Sequence, residues 1–205
     1  EEYARLLQSL GSQYSKLGQC EEGMAKYLEA QTVYQAAGAT KSTSYAGLLR
    51  NMGIWYGRRG RDEEAIAKYE EAQKACQECR ATRSVNYGSL LSTMGFYYQK
   101  HGYSEKAIDK YQQAKRAFEE AGAVNTVSYA SLLRNIGSLL EKQSMECATW
   151  DPFSPDRDAC KGHVVAVGGI DKATAAFAAA KTAFEAAGAT RTQEYASLLV
   201  QLGES

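Results

Sequence analysis

Proline is almost missing from this chain. The 205 residues hold two, Pro152 and Pro155, close together in one segment. Net charge is missing as well: 24 basic residues balance 24 acidic ones. Binding phosphate backbones needs a basic surface, so the balance argues against a nucleic-acid partner. No apolar run approaches the roughly 18 residues of a membrane span, and no signal peptide is visible. The chain opens without Met and inside a helical pattern, and it stops inside another, so it reads as part of something longer. Five cysteines show no disulfide framework, and a reducing intracellular compartment is the default expectation.

What the chain does have is a repeat. Tyr3, Tyr45, Tyr87 and Tyr129 stand 42 residues apart, and Tyr195 follows after 66, so one unit carries 24 extra residues. Self-similarity at this period marks a stack of like units, none of which buries its apolar face alone. The expected array fills residues 1–205 as one domain. Its repeats are 1–41, 42–83, 84–125 and 126–191, followed by a partial unit, 192–205.

Each unit reads as two helices. The first carries paired leucines: Leu6/Leu7, Leu48/Leu49, Leu90/Leu91, Leu132/Leu133 and Leu198/Leu199. An apolar residue and a glycine follow, as in Leu10–Gly11, Met52–Gly53, Met94–Gly95, Ile136–Gly137 and Leu202–Gly203. Apolar spacing of i, i+3, i+4, i+7 makes this helix amphipathic. Glycine inside a helix costs about 1 kcal/mol against Ala, so its recurrence predicts a close helix crossing. The second helix sets small residues (Gly23, Ala65, Ala107, Ala173) four before aromatics (Tyr27, Tyr69, Tyr111, Phe177). Asp62 and Ser104 read as its N-caps. Gly38, Gly122 and Gly188 stand where it should end left-handed, with Arg80 in that place in the second unit. Ser42, Ser84, Thr126 and Thr192 then cap the next first helix.

These motifs resemble the tetratricopeptide repeat family. The match lies in Leu49, Met52, Gly53 and Tyr56 of the first helix and Ala65, Tyr69 and Ala72 of the second, and it recurs along the chain. Two features depart from the family: its period is about 34 residues, and the usual proline after the second helix is replaced here by Gly–Ala–Thr. The longer period resembles the extended subclass that includes kinesin light chains, without their His–Pro linker. The resemblance implies an all-α fold, a right-handed superhelical solenoid of antiparallel helix pairs with about nine helices. First helices would line the concave groove and second helices the outside.

By that resemblance the groove-facing positions include Arg50, Asn51, Arg134, Asn135, Ile54 and Phe96. A row of cations, Lys16, Arg58, Lys100 and Lys142, stands near the first-helix ends. Arg50 with Asn51, and Arg134 with Asn135, have the donors to clamp a carboxylate. The plainer reading of the cation row is that it answers the helix dipole. The carboxylate-clamp pattern of chaperone-binding members would fall on Gln8, Ser12, Asn51, Ser89 and Thr93, of which only Asn51 fits.

The extra residues, about 144–167, form an inserted loop of different composition, with Val164–Val167 as a short extended piece. Trp150 and Phe153 are its candidate contact residues, either anchoring a partner or folding back on the array. Cys147, Cys160 and His163 lack the paired spacing of a zinc knuckle, so no metal is expected. Cys76 and Cys79 align with apolar and small core positions of other units and read as buried, inert thiols. No nucleophile–base pair or phosphate loop recurs in register. The expectation is a non-enzymatic scaffold without cofactors that holds a protein or peptide, with acidic chemistry, in its groove. The competing expectation is a subunit of a large complex, docked by its outer face, insertion or ends.

Overall fold

A computed structural model describes residues 1–148 and 166–203, with side chains described through 145 and again from 171. Trp150, Phe153, Cys160, His163 and the side chain of Cys147 lie outside the described residues. The described chain is helical, with no strand: α1 (Glu2–Lys16), α2 (Cys20–Ala36), α3 (Thr43–Arg58), α4 (Asp62–Glu78), α5 (Val85–Lys100), α6 (Ser104–Glu120), α7 (Val127–Ala148), α8 (Ala166–Ala186) and α9 (Gln193–Leu202). None is long and apolar enough to cross a membrane. The chain forms two compact units, Glu1–Tyr97 and Tyr98–Ser205. In the first, α1 packs on α2 and α3 on α4; in the second, α7 packs on α8.

The helices meet where the sequence puts its small residues. A Cβ on Gly53 would stand 2.6 Å from the Tyr69 ring, and one on Gly137 would stand 2.5 Å from Phe177. The aromatic thus lies flat against bare backbone. Tyr27, Tyr69, Tyr111 and Phe177 are buried, as are Leu48, Leu49, Met52, Leu90, Leu91 and Leu132. Each such side chain contributes about 1.5–3 kcal/mol on burial, which is what holds the hairpins together. Gly203 departs from its aligned partners: it sits in the left-handed region and ends α9.

The caps agree with the pattern at one kind of helix and differ by one residue at the other. Ser42, Ser84, Thr126 and Thr192 accept the backbone N–H of the tyrosine three residues on, at 3.2–3.3 Å. Each hydroxyl also donates to the carbonyl three residues back. Asp62 and Ser104, expected as caps, are instead the first helical residues. Arg61 and Tyr103 stand before them and provide no side-chain cap. The reason lies in Gly60 and Gly102, both left-handed. They close the preceding helix through bonds such as Arg61 N–H to the Tyr56 carbonyl, 3.1 Å, and the chain re-enters a helix without needing a side-chain acceptor. Arg80 has φ 55°, the one non-glycine in that region among the described residues, beside Gly38, Gly122 and Gly188.

Both edges of the expected inserted loop are helical. Helix α7 runs on to Ala148, with Ser144 buried and its hydroxyl donating to the Leu140 carbonyl at 2.9 Å. The prolines that would break it come only later. Ala166 and Val167, expected in an extended piece, belong to α8. Cys76 is buried as expected, and burial pushes its thiol up to about 11. Cys79, expected to be buried too, is only half-buried because it lies at the end of α4, and its thiol donates to the Cys76 carbonyl at 3.4 Å.

Candidate functional site

Charge is sorted between the helices of the first unit. Helices α3 and α5 contain no Asp or Glu, and α1 contains only Glu2. The acids sit on α2 and α4, where several are already engaged. Glu29 pairs with Lys26 at 2.7 Å and accepts the Tyr3 hydroxyl at 3.0 Å. One helix pair later, Glu71 pairs with Lys68 at 2.9 Å and accepts the Tyr45 hydroxyl at 2.9 Å. The face built by α1, α3 and α5 is left to polar and cationic side chains.

On that face lies a cavity of about 390 Å³. Helix α1 lines it with Arg5, Gln8, Ser9, Ser12, Gln13 and Lys16. Helix α3 adds Thr43, Ser44, Ala46, Gly47 and Arg50, and Cys76, Asn86 and Leu90 complete it. Three cations line it and no carboxylate does. Arg50 is the most desolvated of them. Burial holds its guanidinium below the ordinary arginine value, while Tyr69, Tyr27 and Cys76 act weakly the other way. Its Nε is buried and has no acceptor among the described residues. A buried donor on a charged group left without a partner costs about 1–3 kcal/mol or more. Such an arrangement favours an anion arriving from outside.

A second cavity, about 400 Å³, adjoins the first and shares Ser12 and Lys16 with it. Its wall is less polar, with Tyr27, Ile54, Trp55 and Cys20 beside Asn51, Arg58 and Arg59. Asn51 donates to the Ser12 hydroxyl at 3.3 Å, and Ser12 in turn meets the Tyr27 hydroxyl at 3.1 Å. The Trp55 indole N–H donates to the Cys20 carbonyl at 2.8 Å. Arg59 lies over the Trp55 ring, 4.2 Å from its centre, and pairs with Glu21.

Of the residues singled out from the sequence, Lys16, Arg50, Asn51, Ile54 and Arg58 therefore converge on two adjoining cavities in the first unit. Phe96 is 53% exposed on α5 and lines neither. Lys100, Arg134, Asn135 and Lys142 belong to the second unit. There Arg134 is half-buried and eases the phenol of Tyr111, which burial pushes strongly upward. Sequence reading missed Arg5, Trp55 and Arg59. Arg5 was legible: with Ser9, Ser12 and Lys16 it makes one polar stripe at i, i+4, i+7 and i+11 along α1. Trp55 and Arg59 were not, because their partners, the Cys20 carbonyl and Glu21, lie at the start of α2, more than 30 residues away in the chain.

Comparison with known proteins follows the same lines. Residues 2–78 match the tetratricopeptide repeat profile. No curated protein sequence matches the chain. Among solved structures, BtubC (BKLC) from P. vanneervenii is similar at 18% identity with a TM-score of 0.59, over 96% of this chain and 77% of that one. A Podosopora anserina protein of nearly identical, kinesin-light-chain TPR-like repeats is similar at 15% identity with a TM-score of 0.58, over 97% and 92% of the two chains. At these identities the likeness is one of fold. Residues 2–78 thus match the tetratricopeptide repeat family, and the described helices as a whole have the fold of TPR-like repeat proteins.

Proposed function

We propose that this chain is a protein-interaction scaffold whose first unit grips a carboxylate-bearing segment of a partner on the face formed by α1, α3 and α5. The family match supports interaction with protein in general. The observation that supports the finer reading is Arg50: a desolvated guanidinium, its Nε unpaired, on a cavity with Arg5 and Lys16 and no acid. A carboxylate there gains charge-assisted hydrogen bonds in a setting of weakened solvent screening. Asn51 and Ser12 lie next door and offer further polar contacts along the adjoining cavity. Arg134 with Asn135 is proposed as the corresponding pair of the second unit.

Fluorescence anisotropy with a labelled hexaglutamate peptide tests this. Binding should saturate, weaken about tenfold or more in Arg50→Ala, and weaken again as salt is added. Hexalysine should not bind. If Arg50→Ala binds hexaglutamate as tightly as the parent while its helix content is unchanged, the reading fails. Should deletion of residues 149–165 abolish binding instead, the recognition element is the segment holding Trp150 and Phe153.

A further inference from the structure

The cations of the first-unit face stand in a line along α1 and α3. Two cross-links fix how these helices lie against each other. The Gln8 amide meets the Ser44 carbonyl and the Leu48 N–H, each at 3.3 Å. One turn further along α1, the Ser12 hydroxyl accepts from the Asn51 amide at 3.3 Å. The two helices therefore run parallel, with Ser12 level with Asn51. Arg50 stands just before that level. Lys16, one turn past Ser12, stands about 6 Å beyond it, and Arg58, two turns past Asn51, about 10 Å beyond it. Arg50 and Arg58 are thus about 12 Å apart along the helix axis, with Lys16 between them. Arg5 falls out of step, about 9 Å before Arg50.

The three belong to one continuous opening. Arg50 lines the first cavity, Arg58 the second and Lys16 both, and no Asp or Glu lines either. Lys16 and Arg58 are exposed. Their neighbour Arg59 is already engaged by Glu21 and by the Trp55 ring. An extended chain advances about 3.3 Å per residue and turns every second side chain to the same side. Acids at i, i+2 and i+4 therefore cover about 13 Å on one face, which is the span of the cation line. Three consecutive acids put only two on that face. A helix with acids at i, i+4 and i+8 covers a similar length, but its backbone groups are already bonded to one another. The wall beside the cations is polar, with Ser9 and Gln13 of α1 and Asn86 of α5. Such side chains complement the free N–H and C=O groups of an extended segment, and a helix has none to offer along its length.

We infer that the partner segment lies extended and lengthwise along the α1–α3 seam, with carboxylates at alternate positions, i, i+2 and i+4, that meet Arg50, Lys16 and Arg58 in turn. The inference rests on the carboxylate reading of the Arg50 cavity. It adds the conformation of the segment, its course within the first unit and the spacing of its acids.

Competition against labelled hexaglutamate, read by anisotropy, tests the spacing. Three unlabelled peptides carry three glutamates each. One alternates them with serine, SSESESESS. Its isomer SSSEEESSS runs them together. The third is a stapled alanine-rich helix with glutamates at i, i+4 and i+8. The alternating peptide should compete about fivefold better than either of the others, the effect of one charge-assisted contact. Arg58→Ala, at an exposed position, should remove its advantage over the isomer, because each then finds two cations. The inference is overturned if the isomer or the helix competes as well as the alternating peptide, or if the advantage survives Arg58→Ala. Those results leave the Arg50 site standing, provided hexaglutamate binding still depends on Arg50. Failure of hexaglutamate to bind, or binding indifferent to Arg50→Ala, overturns both readings.

Discussion

Replacing Gly53 by Ala sets two effects of known size against each other. On helix propensity alone the change stabilises α3 by about 1 kcal/mol. The added methyl, however, would stand 2.6 and 2.8 Å from Cε1 and Cδ1 of Tyr69, closer than real carbon contacts allow. The ring cannot yield easily. Tyr69 is 3% exposed and packs edge-on to Tyr97 at 5.5 Å. Tyr97 is itself anchored by its hydroxyl, which donates to Asp62 at 2.6 Å. Overpacking of this kind costs about 1–3 kcal/mol, so α3 and α4 must move apart and the gain in helix propensity is cancelled or exceeded, a net destabilisation of up to about 2 kcal/mol. Gly47 in the same helix is the internal control. A methyl there meets only the end of the Gln8 amide, at 3.3 Å, the far end of a flexible side chain. Gly47→Ala should therefore be neutral or stabilising by up to about 1 kcal/mol. Urea denaturation followed by circular dichroism compares the two. If Gly53→Ala raises the midpoint as much as Gly47→Ala, the close crossing described here is wrong. If Tyr69→Leu does not relieve the Gly53→Ala penalty in a double-mutant cycle, the clash is not with that ring.

Arg80→Gly should stabilise the first unit by on the order of 1 kcal/mol, because φ 55° burdens a residue with a Cβ and not a glycine; a lower melting temperature would refute this. The Cys76 thiol, pushed up to about 11 by burial, should stay almost fully protonated at pH 8 and resist thiol-specific reagents until the chain unfolds. Rapid labelling of Cys76 in the folded chain at pH 8, read by peptide mass spectrometry, would contradict its placement. Arg50→Met should raise the stability of the free chain, since it removes a buried Nε–H left without an acceptor, while weakening hexaglutamate binding; a fall in both would mean that Arg50 supports the fold.

The fold was legible because its signals are local and repeat. The 42-residue period, the helix-ending glycines and the Ser/Thr caps each specify backbone within a few residues, and a repeat multiplies every weak signal by its copies. The cap at Asp62 was misread by one residue for the same reason. An acid near a helix start is a good local signal, but the turn made by Gly60 had already set where the helix begins. The site was legible in part. Arg50, Asn51 and Ile54 were placed on one face by the family resemblance, and Lys16 and Arg58 by their repeat register. Arg5 needed only a further look along the same stripe.

The sequence by itself determined the helices, their pairing and, in the first unit, the concentration of acids on α2 and α4, because these follow from spacing along one strand of chain. The tertiary structure alone decided what each face meets. Leu6 and Leu48 are the same residue in the same motif, yet one is 64% exposed and the other fully buried. Arg50 and Arg134 likewise share a register but lie in different units, and Arg50 lines a cavity with Arg5 and Lys16 of α1. Burial, charge pairing and cavities depend on the neighbours that packing supplies from distant parts of the chain, and a repeat gives identical residues different neighbours according to their place in the array.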